Sequence, residues 1–168
     1  MEDFNNLYKI HSQELYNYLY YLTGNYSLAN ELLQETFYQA FLSIHRFKGK
    51  STVKTWLYKI AKHVYYKDLA KVKRENKVNI DEVAESEFIS SHTPEKIIEL
   101  KERDDMLIDS LSQLKEPYKQ IIILRCYSCL SFKEIGDIHS KGESWARVTF
   151  HRGKLQLLKI MKGENFNE

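Results

Sequence analysis

The stretch FKGKSTVKTWLYKIAKHVYYKDLAKVKRENK, residues 47–77, decides how the rest of the chain is read. Val53, Trp56, Leu57, Ile60, Ala61 and Val64 recur at helical spacing, which predicts a helix with one apolar face. Between them stand Lys54, Lys59, Lys62, Lys67, Lys71, Lys73 and Arg74, interleaved with Tyr58, His63, Tyr65 and Tyr66. From His45 to Val78 there are eleven Lys/Arg against two acids, a local charge of +9 in a chain whose total is +2. Cations hold phosphates and aromatic rings stack on unpaired bases, so such a face suits a nucleic-acid strand. The plainer alternative is a lysine-rich helix face that is simply solvated.

Outward from this helix the charge alternates. Residues 1–44 carry −4, residues 79–105 carry −6, and residues 139–162 carry +5. Two basic blocks separated by an acidic one point to two anionic contacts on one partner, or to one extended partner. With 168 residues, 6 Gly and 2 Pro, the chain is too poor in turn formers for a sandwich or barrel. The expected class is all-α: two small helical domains joined by an acidic linker, the second a four-helix domain containing a helix-turn-helix. The boundaries are placed at 1–76, 77–93 and 94–168. No apolar run approaches the roughly 20 residues of a membrane span, and MEDFNNLYKI does not read as a secretory signal. The expected location is the cytoplasm.

Before the basic helix, residues 4–23 read as one helix, stopped at Gly24-Asn25. A second helix is expected from a Ser27 cap to about His45, with Ala29, Leu33, Phe37, Ala40, Phe41 and Ile44 on its buried face. Its opposite face carries Glu31, Gln34, Glu35 and Tyr38 at i, i+3, i+4 and i+7. Composition alone reads that stripe as solvated.

After the acidic, Ser-rich segment 76–93, Thr93-Pro94 reads as a helix start and Pro117 as another. Ser131-Phe-Lys-Glu134 fits a capping box opening a short helix to His139. A Gly142-containing turn leads to a longer helix from Ser144 to about Met161. Short helix, turn and basic helix make a helix-turn-helix, whose second helix enters the major groove by its N-terminal residues. Arg147 is the leading base-contact candidate, with Ser144, His151, Arg152 and Lys154 beside it. A helical hairpin in a protein-binding domain is the alternative. Cys126 and Cys129 form a C-x-x-C. A zinc site would need His139 and His151 as further ligands, and an incidental role is favoured. There is no phosphate-binding glycine loop, no nucleophile elbow and no catalytic carboxylate pair, so neither an enzyme nor a cofactor is expected.

Two stretches resemble a known family. ELLQETFYQAF (31–41) with FKGKSTVKTWLYKIA (47–61), and LSQLKEPYKQIIILRCYSCLSFKEIGDIHSKGESWARVTFHRGKLQLL (111–158), look like the two domains of a bacterial extracytoplasmic-function sigma factor. The resemblance implies transcription initiation, commonly in a stress response. Glu31, Gln34, Glu35 and Tyr38 would meet the clamp helices of core RNA polymerase, whose flap is a further contact implied for the chain. Lys48, Lys50, Lys54, Tyr58, Lys59, Lys62, His63 and Tyr66 would engage the −10 element as single-stranded non-template DNA. Ser144, Trp145, Arg147, Val148, His151, Arg152 and Lys154 would meet the −35 element as duplex. It also implies an anti-sigma partner, commonly membrane-anchored, which would hold the chain at the inner face of the membrane. Four features depart from the family pattern: His63 where Asn is common, Lys141 where a branched aliphatic is usual, Trp145 where Thr is common, and a proline displaced from its usual place after Leu114 to Pro117. Trp145 is expected to supply the packing that Lys141 cannot. The competing reading is a stand-alone helix-turn-helix regulator dimerising through its N-terminal helices; a third is a protein-interaction adaptor.

Overall fold

Helices form where caps and apolar periodicity coincide. The computed structural model describes residues 3–76 and 105–163; the expected linker and the Thr93-Pro94 helix start lie outside the described residues. The first helix, α1, spans Phe4–Thr23, capped by the Asp3 carboxylate and closed by Gly24 in the left-handed region, φ 64°. Gly24 leaves Asn25 extended, and the Asn25 side chain accepts from the Leu28 N–H, so Asn25 caps α2 (Tyr26–Ser43) in place of the expected Ser27. A 3₁₀ turn, Ile44–Arg46, and a loop lead into α3, Val53–Asn76. The remaining helices are α4 (105–112), α5 (Tyr118–Cys126), α6 (Phe132–Ile138) and α7 (Glu143–Met161).

The described residues form helices joined by turns and short loops, in two groups: α1–α3, and α4–α7 with the helix-turn-helix at α6–α7. Leu15, Leu19, Leu33, Leu57 and Ala61 close the first group; Leu111, Ile121, Ile123, Leu124, Ile135 and Ala146 close the second. Each large apolar side chain among them contributes roughly 1.5–3 kcal/mol on leaving water. The α2 core face is rotated from the expected one. Leu32 and Thr36 are buried, whereas Phe41 is 59% exposed beside Phe4. Thr36 tolerates burial because its hydroxyl donates to the Leu32 carbonyl at 2.7 Å. On α3 the buried face is Thr55, Leu57, Tyr58, Ala61, Val64 and Tyr65, with Trp56 and Ile60 half-buried at its edge.

The capping box on α6 is present in both halves: Ser131 Oγ accepts from the Glu134 N–H, and Glu134 accepts from the Ser131 N–H at 2.7 Å. The turn then folds back on α6 so closely that a Cβ on Gly136 would stand 2.8 Å from the Lys141 carbonyl oxygen. Only glycine fits there, and this fixes the angle at which α7 leaves.

The two groups pack on one another. The buried Tyr18 hydroxyl donates to Gln120 Oε1 at 3.0 Å, joining α1 to α5. The Lys119 ammonium donates to the Leu22 carbonyl, Tyr127 stacks on Tyr21 with ring centroids 4.4 Å apart, and Ile108 lies against Gly24.

Candidate polymerase and nucleic-acid interfaces

Three surfaces carry the expected site residues. On α2, Glu31, Gln34, Glu35 and Tyr38 are all exposed, while Leu32, Leu33, Thr36 and Phe37 behind them are buried. The stripe is therefore a flat, anionic, rigidly backed helix face. Gln39, the next turn on, donates to Glu35 at 2.8 Å and extends it. The periodicity that marks the stripe would have included Gln39, since it lies four residues beyond Glu35.

The second surface is the loop before α3 and the outer face of that helix. Lys48 and Lys50 are exposed on the loop. Lys54 forms an ion pair with Glu14 at 3.1 Å. Lys59 is half-buried and His63 exposed. Two grooves run between α2 and α3. One, of about 280 Å³, is lined by Gln39, Ser43, Trp56, Lys59, Ile60 and His63. The other, of about 290 Å³, lies towards Lys67, Asp68, Lys71 and Arg74 of α3, with Glu35 of α2 across it. His63 borders both. Trp56 packs on Phe47 at 5.0 Å, so it is both a core-edge side chain and a groove wall.

Tyr58 does not belong to this surface. It is 1% exposed, its ring is set edge-on to Tyr18 at 5.1 Å, and burial pushes its hydroxyl up to about 12. Helical spacing put Tyr58 beside the lysines, but the wider buried face of α3 takes it inward.

Lys62 and Tyr66 face the second group of helices instead of solvent. The Lys62 ammonium donates to the Ile138 carbonyl at 2.9 Å, and burial, then Lys59, lowers its pKa. Tyr66 stands with Tyr65 beside Glu116, and burial pushes the Tyr66 hydroxyl up to about 12. Both hydroxyls stop short of hydrogen-bonding geometry with the Glu116 carboxylate, whose oxygens are shut off from solvent. Burial raises the Glu116 pKa against the opposing pull of Lys119. Glu116, Lys119, Gln120 and Tyr18 form a polar seam that sequence reading missed. Nothing local marks it, because its partners are about a hundred residues apart (97 for Lys119–Leu22, 102 for Tyr18–Gln120).

The third surface is the outer face of α7. Ser144, Arg147, Val148, His151, Arg152 and Lys154 are exposed together, while Ala146, Thr149 and Gly153 are buried behind them. Arg147 pairs with Glu143 at 2.8 Å and lies over the Phe132 ring at 5.0 Å. Trp145 is half-buried against His139, ring centroids 5.4 Å apart, and Lys141 is exposed. Burial, then Lys62, lowers the His139 pKa to about 4.

The family model for Sigma-70 region 2 matches residues 7–75, which span α1–α3 almost entirely. The RNA polymerase sigma factor YlaC of Bacillus subtilis is 32% identical over 159 residues, covering 93% of this chain and 90% of the relative. The chain is an extracytoplasmic-function RNA polymerase sigma factor. SigM of Bacillus subtilis, an extracytoplasmic-function sigma factor, is 27% identical over 162 residues, 96% of either chain. The fold is that of the sigma factor RpoE, solved with the anti-sigma factor NepR from Bartonella quintana. Its TM-score is 0.77 at 20% identity, over 98% of this chain and 100% of that one. Among the described residues no three His, Cys, Asp or Glu side chains converge, and no helix is long and apolar enough to cross a membrane.

Proposed function

We propose that this sigma factor contacts core RNA polymerase through Glu31, Gln34, Glu35 and Tyr38 and reads promoter DNA with its two basic surfaces. The carrying observation is the α2 stripe: four exposed polar positions on a helix whose other face is buried. A stand-alone regulator has no use for such a face; a polymerase subunit needs one. The proposed division of labour is residues 1–76 for polymerase binding and the −10 element, and 94–168 for the −35 element and the polymerase flap.

At the −10 element, Lys48, Lys50, Lys54 and Lys59 hold the strand, and the groove walled by Trp56, Lys59 and His63 receives an unstacked base. Unstacking costs a few kcal/mol, which a ring wall and a hydrogen-bonding imidazole offset. Lys62 and Tyr66 join this surface only when the two helical groups separate. At the −35 element, Arg147 addresses base edges, with Ser144, Val148, His151, Arg152 and Lys154 around it and Trp145 as packing.

An anti-sigma factor is the proposed regulator, since RpoE and CnrH, which share this fold, were solved with NepR and CnrY respectively. Such a partner would hold the chain in the cytoplasm, at the membrane where the partner is anchored. The test is co-elution with core RNA polymerase on a sizing column without DNA. Stoichiometric co-elution is expected. Its absence, with salt-sensitive duplex binding retained, would transfer the assignment to the stand-alone regulator.

A further inference from the structure

Cys126 and Cys129 are used by none of the surfaces above. Both are exposed, three residues apart, one the last residue of α5 and the other in the turn that follows. The turn is stitched to α5 by three backbone hydrogen bonds: Tyr127 N–H and Ser128 N–H to the Ile123 carbonyl at 2.9 and 3.1 Å, and Leu130 N–H to the Leu124 carbonyl at 3.1 Å. Cys129 lies at φ 54°, a left-handed conformation that few non-glycine residues adopt. Burial raises the Cys126 pKa, and the Cys129 thiol lies close enough to add to that rise.

The two residues between the cysteines do something different. They face the first group of helices. Tyr127 stacks on Tyr21 of α1 at 4.4 Å. Ser128 is 8% exposed, and its hydroxyl lies beside that of Tyr58 on α3. The turn thus has an outer edge of two thiols and an inner edge that docks the two halves of the protein.

We propose that Cys126 and Cys129 are a peroxide-sensitive dithiol whose oxidation to an intramolecular disulfide fixes this turn in its docked shape and holds the sigma factor closed. The chemistry balances with hydrogen peroxide as oxidant. One thiolate attacks the peroxide and becomes a sulfenic acid, releasing one water. The second thiol displaces it, forming the S–S bond and releasing another water. The two electrons lost by the sulfurs reduce the peroxide. A reducing compartment keeps such a pair open until an oxidant arrives, which suits a reversible device better than a structural bridge. Docking strengthens because a bridged turn has less freedom to lose when Tyr127 and Ser128 seat. The consequence reaches DNA binding, since the closed arrangement is the one that occupies Lys62 and covers Tyr66.

The experiment uses the full chain, reduced and then titrated with hydrogen peroxide, with intact mass, peptide mapping and backbone hydrogen exchange read on each sample. Met106 and Met161, 74% and 62% exposed, are internal references for unselective oxidation. The expected result is loss of two hydrogens in mass before either methionine is oxidised, and one peptide containing a Cys126–Cys129 link. The link is absent in Cys126→Ser and in Cys129→Ser. Exchange at Tyr58–Tyr66 is expected to slow about fivefold, the effect of sparing one or two residues their ordering at docking. Methionine oxidation first, or only disulfide-linked dimers, would overturn the site. A link that forms with unchanged exchange would overturn the lock. Unprotected exchange at Tyr58–Tyr66 already in the reduced protein would instead mean that the two halves do not dock, a separate failure.

Discussion

The Lys62 ammonium donates to the carbonyl of Ile138 at 2.9 Å, tying the basic helix to the end of the first helix of the helix-turn-helix. A cation assigned to promoter DNA is thereby held by the protein's own backbone. The last carbonyls of α6 are short of donors, and a lysine is a favourable partner for them. Under the proposed function, closure and −10 binding would compete for the same ammonium.

Replacing Lys62 by Met removes this competition from one side. The free protein is expected to open about fivefold more often, since a half-buried charged hydrogen bond contributes roughly 1 kcal/mol. Hydrogen exchange along α6 in the absence of DNA measures this. Unchanged exchange would show that the bond contributes nothing to closure.

Charge reversal on α2 tests the polymerase face. Glu35→Lys with Gln34→Ala is expected to weaken binding to core RNA polymerase at least tenfold, with thermal stability unchanged because both side chains are exposed. Equal binding at matched stability would return the stripe to solvent.

Arg147→Ala is expected to cost about 1–3 kcal/mol of −35 recognition, concentrated at one base position. The Glu143 partner is no obstacle, since exposed pairs at i, i+4 contribute only about 0.3–0.5 kcal/mol. Equal weakening on all sequences would make Arg147 a phosphate contact.

Acid is expected to open the protein through His139. Its pKa is lowered to about 4 by burial and by Lys62, against an ordinary 6.5. The closed form is therefore fully favoured above pH 6.5 and loses that advantage as pH falls towards 4, where the open form takes up the proton. Glu116 works the other way. Its raised pKa lets the closed form take up a proton first, so acid stabilises closure there. Scattering at pH 7 and pH 5 should show roughly tenfold more open protein at the lower value in Glu116→Gln, where the opposing group is gone. In the double variant Glu116→Gln with His139→Gln the response should vanish.

Gly136→Ala is expected to destabilise the helix-turn-helix by roughly 1–3 kcal/mol, because the new methyl meets backbone that cannot turn aside. Thermal unfolding of the variant checks this, and −35 binding should fall with it as α7 swings.

Local features were legible in the sequence. The capping box at Ser131 and Glu134, the Gly24 stop and the α2 stripe each depend on residues within one or two helical turns. The Asn25 cap was missed because Asn25 and Ser27 are both good caps, and only the end of α1 at Gly24 chooses between them. The fates of Phe41 and Tyr58 were missed because periodicity gives a face but not its width. The seam was invisible: Tyr18 and Gln120 meet across 102 residues, and neither belongs to a motif.

The oxygens of Glu116, Gln120 Nε2, the Tyr58 hydroxyl and His139 Nε2 are buried without a well-formed hydrogen bond among the described residues. All lie at or beside the contact between the two halves. Each would gain hydrogen bonds from water on separation, so parting the halves recovers solvation that closure withholds. The exposed faces would then be wet and polar at these points. A sigma factor opened ahead of its polymerase would have less cause to aggregate with other proteins.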